Sequence, residues 1–139
     1  MSPQPPRRGL LDTSVVIDFP ARQVAKAVDE VALSAVSVGE LQYGVTLATD
    51  ALTQLRRRQR VQAVLEQFDV LPFDVDTAEY YGALAALVRA SGRNPRPRRM
   101  DLRIAATAVR HGLTLLTRNA KDFVGLESAL IVIDLTDTR

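Results

Sequence analysis

The sequence predicts an α/β domain: three layers, α/β/α, around a mainly parallel central sheet of four or five strands. Short apolar runs alternate with longer segments of helical period along the 139 residues, with no repeats or low-complexity linkers between them. The short runs are apolar throughout rather than alternately polar, as strands covered on both faces must be. Capping residues sit at the ends of the helical segments.

In chain order, strands are predicted near residues 9 to 12, 31 to 36, 70 to 73, 113 to 117 and 131 to 134. Helices fill the gaps. "SVVIDF" and "ARQVAKAVDE" follow the first strand, "SVGELQYGVTLAT" and "DALTQLRRRQRVQAVLEQF" the second, and "DTAEYYGALAALVRASG" the third. "DLRIAATAVRHG" precedes the fourth. Ser37, Asp50, Asp76 and Asp101 stand where N-caps belong, and Gly92 and Gly112 where helices end. "RNPRPRR", with two prolines between helices, is predicted as a loop.

With 47% apolar residues, one domain over residues 9 to 139 can bury a real core. "MSPQPPRR", residues 1 to 8, reads as a flexible lead-in: it lacks the apolar core and cleavage pattern of a signal peptide. No apolar run approaches membrane-spanning length, so a cytoplasmic setting is expected. There is no cysteine and a single histidine, His111, which excludes disulfide frameworks, thiolate sites and multi-histidine metal sites. A metal here must be held by oxygen, which favours hard cations such as magnesium or manganese.

Net charge is only +2, yet the basic residues are nearly all arginine and concentrate in "RRRQR" and "RNPRPRR". Arginine grips phosphate bidentately, although either run also reads as a solvated face. "RNPRPRR", just before Asp101, is the better placed to meet a phosphate-bearing ligand.

Asp12, Glu40, Asp101 and Asp122 fall just beyond strand ends or at helix starts. Singly, each has a structural explanation: a turn at Asp12, a capping box of Ser37 with Glu40, an N-cap at Asp101, a first-turn acid at Asp122. Topology changes the weighing, because in a parallel sheet every crossover helix begins where a strand ends. All four acids then share the edge at which open α/β sheets bind ligands. Converging carboxylates raise one another's pKa unless a cation holds them ionised, so convergence predicts a metal. Setting these acids aside leaves 18 basic against 12 acidic residues, a cationic surface around an acidic pocket, which suits a metal-dependent nuclease.

"LLDTSVVID", "SVGELQYG", "DLRIAATAVRHGLTLLTRNAKDF" and the closing "LIVIDL" resemble the PIN-domain ribonucleases, and among them the VapC toxins of toxin-antitoxin pairs. The resemblance covers essentially the whole chain. It implies that Asp12, Glu40, Asp101 and Asp122 are the catalytic, metal-binding carboxylates. The fourth position is shared in the family between the places of Asp122 and Asn119. Thr13, Ser14, Thr117 and Asn119 are implied to orient carboxylates or bound water. It further implies Mg2+ or Mn2+ as cofactor, RNA as substrate, a 5′-phosphate product, a homodimer, and inhibition by a VapB-like antitoxin in a hetero-oligomer. Arg96, Arg98, Arg99 and Arg118 are the expected RNA contacts.

Asp18 is expected to face solvent or cap locally. Tyr80 and Tyr81 read as core or interface, and His111 as a helix-end or surface residue. The rival readings are a non-catalytic nucleic-acid or protein-binding module on the same fold, and a magnesium-using phosphotransfer or receiver domain. Against the latter, "LLDTS" lacks an Asp-x-Asp pair and Thr117 is followed by Arg118 rather than lysine.

Overall fold

The computed structural model of the chain describes residues 4 to 135; residues 1 to 3 of the expected lead-in and 136 to 139 of the expected domain lie outside the described residues. The elements are β1 (Arg8–Leu11), α1 (Thr13–Ile17), α2 (Ala21–Ala27), β2 (Glu30–Ser34), α3 (Ala35–Thr46), α4 (Ala51–Gln67), β3 (Asp69–Leu71), α5 (Val75–Ala90), α6 (Arg99–Arg110), β4 (Thr114–Thr117) and β5 (Val132–Asp134). Short 3-10 turns occupy Arg96–Arg98 and Ala120–Phe123.

The strands form one five-stranded sheet in the order β3-β2-β1-β4-β5, with every neighbouring pair parallel. From β1 the chain moves outward to β3, then crosses back to lay β4 on the other side of β1. The order therefore reverses between β1 and β4, the place where an open α/β sheet leaves a crevice beyond its strand ends.

Strand alternation divides the core in two. Leu10 of β1 and Leu115 of β4 are register partners and both face the core under α5 and α6. Leu11 and Leu116, the next pair, face the opposite core with residues of α1 to α4. All four are fully buried, at about 1.5–3 kcal/mol each. A one-residue slip would exchange the two cores, so the register at the crevice is strongly specified.

Several element ends differ from the sequence expectation. β1 starts at Arg8, inside the expected lead-in, and Arg7 is already tied to Asp29: its N–H donates to Asp29 Oδ2 at 2.7 Å. Glu30 opens β2 rather than closing a helix. Ser34 caps α3, its Oγ accepting the N–H of Val36 at 3.0 Å, so Ser37 lies buried within the helix rather than at its cap. Asp74, not Asp76, caps α5 through the N–H and hydroxyl of Thr77 (2.9 and 2.8 Å). α6 opens at Arg99, leaving Asp101 in its first turn rather than at its cap. "RNPRPRR" is only half a loop, since its second half curls into the 3-10 turn and α6.

Asp50 caps α4 as expected. Gly92 and Gly112 follow α5 and α6 at φ of 85° and 66°, where a side chain would strain the backbone. Among the described residues, no helix is long and apolar enough to cross a membrane.

Gly9 in the middle of β1 marks how closely the sheet is packed: a Cβ there would stand 2.7 Å from Leu116 Cδ1 and 3.1 Å from Val28 Cγ1. Both neighbours are buried. Gly9→Ala should destabilise the fold by about 1–3 kcal/mol through overpacking, read as a lower urea midpoint with unchanged slope. An unchanged midpoint would show that Leu116 is free to move.

Candidate active site

Asp12 directly follows β1 and opens α1, beside the end of β4. Its Oδ1 accepts the N–H of Thr13 at 2.9 Å, which is the capping role of a lone aspartate. Its Oδ2 reaches further, accepting the hydroxyls of Thr117 at 2.7 Å and Ser14 at 3.1 Å. Thr117 is the fully buried last residue of β4, so this contact spans the crevice. Asp12 is 5% exposed, and these donors offset the cost of burying a carboxylate.

Thr117 is itself held, its Oγ1 accepting the N–H of Asn119 at 2.9 Å. Asn119 thus acts through its backbone, while its side chain is exposed at the head of the 3-10 turn.

Glu40 and Ser37 lie three residues apart on α3 and share a face. That face meets Thr13, whose hydroxyl is 2.7 Å from Glu40 Oε1 and 2.8 Å from Ser37 Oγ. A carboxylate only accepts, so the Thr13 proton goes to Glu40 and the Ser37 hydroxyl turns its own proton to Thr13. The expected capping box is absent; the pair faces the site instead. The sequence pattern marks Ser37 as a cap; its i, i+3 spacing from Glu40 is the signal for this shared face.

Asp101, in the first turn of α6, is half-buried and reports the convergence. Its carboxyl is pushed up from 3.8 to about 6, first by burial and then by the charges of Asp12, Asp122 and Glu40, with Arg98 pulling it down. Asp122, in the turn Ala120–Phe123, forms an ion pair with the guanidinium of Arg98. Among the described residues, no three carboxylate or imidazole groups already stand as a finished cation cage. The reason is visible in the bonds: Asp12 and Glu40 are turned toward hydroxyls, and Asp122 toward Arg98. The donor set is all oxygen, partly desolvated and short of positive charge, which fits a hard divalent cation.

The remaining candidates lie around this group. Arg96 and Arg99 are exposed on the approach to Asp101. Arg118 is committed elsewhere, its Nη2 donating to the carbonyl of Asp18 at 2.6 Å, and its N–H reaching Ser14 Oγ at 3.3 Å. It ties the end of β4 to the end of α1. Asp18 is exposed and ends α1, outside the site.

"RRRQR" does more than face solvent. Arg57 donates to the carbonyl of Gly44 at 2.7 Å, and Arg57 and Arg60 line a cleft of about 400 Å³ shared with Thr13 and Glu40. Tyr81 packs on the α5–α6 core, edge-on to Phe73 and beneath Arg103, while Tyr80 is 41% exposed. His111 ends α6, away from the acids.

Residues 9 to 125 match the model of the PIN domain. The chain belongs to the PIN-domain family. This PIN domain is 34% identical over 130 residues to the VapC ribonuclease Y4jK of Sinorhizobium fredii, covering 82% of this chain and 89% of that protein. It is 33% identical over 129 residues to ribonuclease VapC4 of Mycobacterium tuberculosis, covering 91% and 96%. Its fold matches the crystal structure of VapBC-5 from Mycobacterium tuberculosis, a member of the VapBC family of toxin-antitoxin systems. The TM-score is 0.77 at 33% identity, over 93% of this chain and 98% of that one. The chain is thus a PIN domain among VapC ribonucleases, and the receiver and phosphotransfer reading falls away.

The raised Asp101 carboxyl sets a pH dependence. A folded value near 6 against an unfolded value near 3.8 means that the metal-free native state binds the proton more tightly. This group therefore favours the fold below about pH 4, and that contribution is lost as pH rises through about 6. In EDTA, the Tm of wild type relative to Asp101→Asn should fall between pH 4 and 7. Parallel Tm profiles would mean that Asp101 does not feel the other acids.

Proposed function

We propose that this chain is a divalent-metal-dependent endoribonuclease toxin of the VapC type, held inactive by a VapB-like antitoxin. The observation that carries this reading is the convergence of Asp12, Glu40 and Asp122 on Asp101 at the reversal of strand order. The ribonuclease names of its relatives and the toxin-antitoxin system of its structural neighbour support it.

Mg2+ or Mn2+ would be held by Asp12 and Asp101, with Glu40 and Asp122 completing or steadying the set. When bound, such a cation would supply an activated water and charge neutralisation for phosphodiester hydrolysis, whose products would carry a 5′-phosphate and a 3′-hydroxyl. The protein's own groups prepare that site. Thr117 and Ser14 fix the carboxylate plane of Asp12, Thr13 with Ser37 fixes Glu40, and the backbone of Asn119 fixes Thr117. Exposed Arg96 and Arg99 draw the phosphate backbone toward the acids. Regulation by the antitoxin, within a hetero-oligomer built on a toxin homodimer, belongs to the same reading. So does a cytoplasmic location, where RNA is met and a chain without cysteine needs no oxidising compartment.

Purified protein incubated with structured RNAs should cleave only with added Mg2+ or Mn2+, and EDTA should stop it. Asp12→Asn should lower the rate by more than about a hundredfold, and Thr117→Val by about 10–100-fold, as for a partner that orients a ligand. Metal-dependent cleavage surviving in Asp12→Asn would reject the site. RNA binding without cleavage across a broad panel would favour the non-catalytic module.

A further inference from the structure

Arg98 occupies an unusual position for a residue expected only to touch RNA. It stands at the head of α6, three residues before Asp101, and its backbone N–H is held by the carbonyl of Pro95 at 3.0 Å. Its guanidinium pairs with Asp122, with side-chain exposures of 42% and 21%, and its charge also pulls on Asp101. One arginine thus serves as positive partner to two acids of the cluster. Asp122 Oδ1 is occupied by Arg98 Nη1, so the carboxylate is not fully available to a cation while the pair stands.

Next to this pair lies a cleft of about 430 Å³ whose rim carries Arg93, Asn94, Arg98 and Asp122 and whose apolar side is Val88, Pro97 and Val124. Arg98 therefore forms part of both the acid cluster and a cationic cleft large enough for a phosphodiester. A phosphate there would offer the guanidinium a bidentate acceptor in exchange for Asp122.

We infer that Arg98 is an exchangeable internal counter-ion: paired with Asp122 in the free protein, it transfers to an RNA phosphate in the adjacent cleft and so releases Asp122 toward the cation. Arg98 is then a positioning residue that couples substrate binding to assembly of the metal site. This inference rests on the reading of the acid cluster as a divalent-cation site. The coupling is reciprocal, since whatever breaks the pair from one side favours binding on the other.

The test uses wild type, Arg98→Ala, Asp122→Asn and the double variant, with thermal melts confirming folding and Arg98→Gln as a second replacement that keeps side-chain length. Mn2+ binding to EDTA-stripped protein, read by calorimetry, should tighten about five- to tenfold in Arg98→Ala but less than about twofold in Arg96→Ala, which removes a nearby charge without a pair. In the Asp122→Asn background the Arg98→Ala gain should shrink to that of Arg96→Ala, because directly paired residues are non-additive and only the general effect of a nearby charge is left. RNA affinity in EDTA, read by anisotropy where no cleavage occurs, should rise in Asp122→Asn only when Arg98 is present. Additive effects in either cycle, or no tightening in Arg98→Ala and Arg98→Gln, would overturn the exchange while leaving the metal site intact. Mn2+ binding to Asp12→Asn as tightly as to wild type would overturn the metal reading itself, and the exchange with it.

Discussion

Four carboxylates on one edge of a parallel sheet cannot all remain ionised without positive charge or donated hydrogen bonds, and the surroundings of the site answer that constraint. Asp12 takes two hydroxyls and an amide, Glu40 takes the hydroxyl of Thr13, and Asp122 takes Arg98. Asp101 is half-buried and feels the charges of the other three, so its carboxyl is pushed upward first by burial and then by that repulsion. A divalent cation would relieve that repulsion. The absence of cysteine, and a lone histidine at the far end of α6, leave oxygen as the donor for a hard cation.

The scaffold makes this repulsion sustainable. Leu10, Leu11, Leu115 and Leu116 lock β1 against β4 from both faces, and the Asp12 to Thr117 hydrogen bond is made at the end of that locked pair. Gly9, packed against Leu116 and Val28, keeps the strand close to its neighbours. Strained electrostatics at a strand edge need rigid elements beneath them, because groups free to move apart would relax the repulsion and disperse the site.

The sheet was legible because each strand is built on a short apolar stretch, with charged or hydroxyl residues only at its ends, and family resemblance named the acids. Helix starts were less so. "DVDT" offers two aspartates that can cap, and only the fold decides that Asp74 is the one reaching Thr77. "SAVS" offers two serines, of which Ser34 takes the cap and frees Ser37 to meet Thr13. The partners of the arginines were illegible for a different reason. Arg98 finds Asp122 across 24 residues and Arg118 finds Asp18 across 100, contacts that depend on how turns at the sheet edge face one another. Likewise, the nearness of Arg57 and Arg60 to Glu40 depends on how α4 packs along α3, which no local pattern encodes.

The central claim is that the repulsion among these acids exists to be neutralised by a bound cation. Anomalous diffraction from crystals grown with Mn2+ tests it most directly. The account predicts a manganese peak enclosed by Asp12 and Asp101, with Glu40 and Asp122 oriented toward it or toward its waters. Manganese bound elsewhere on the chain, with the acid cluster unoccupied at saturating Mn2+, would contradict it.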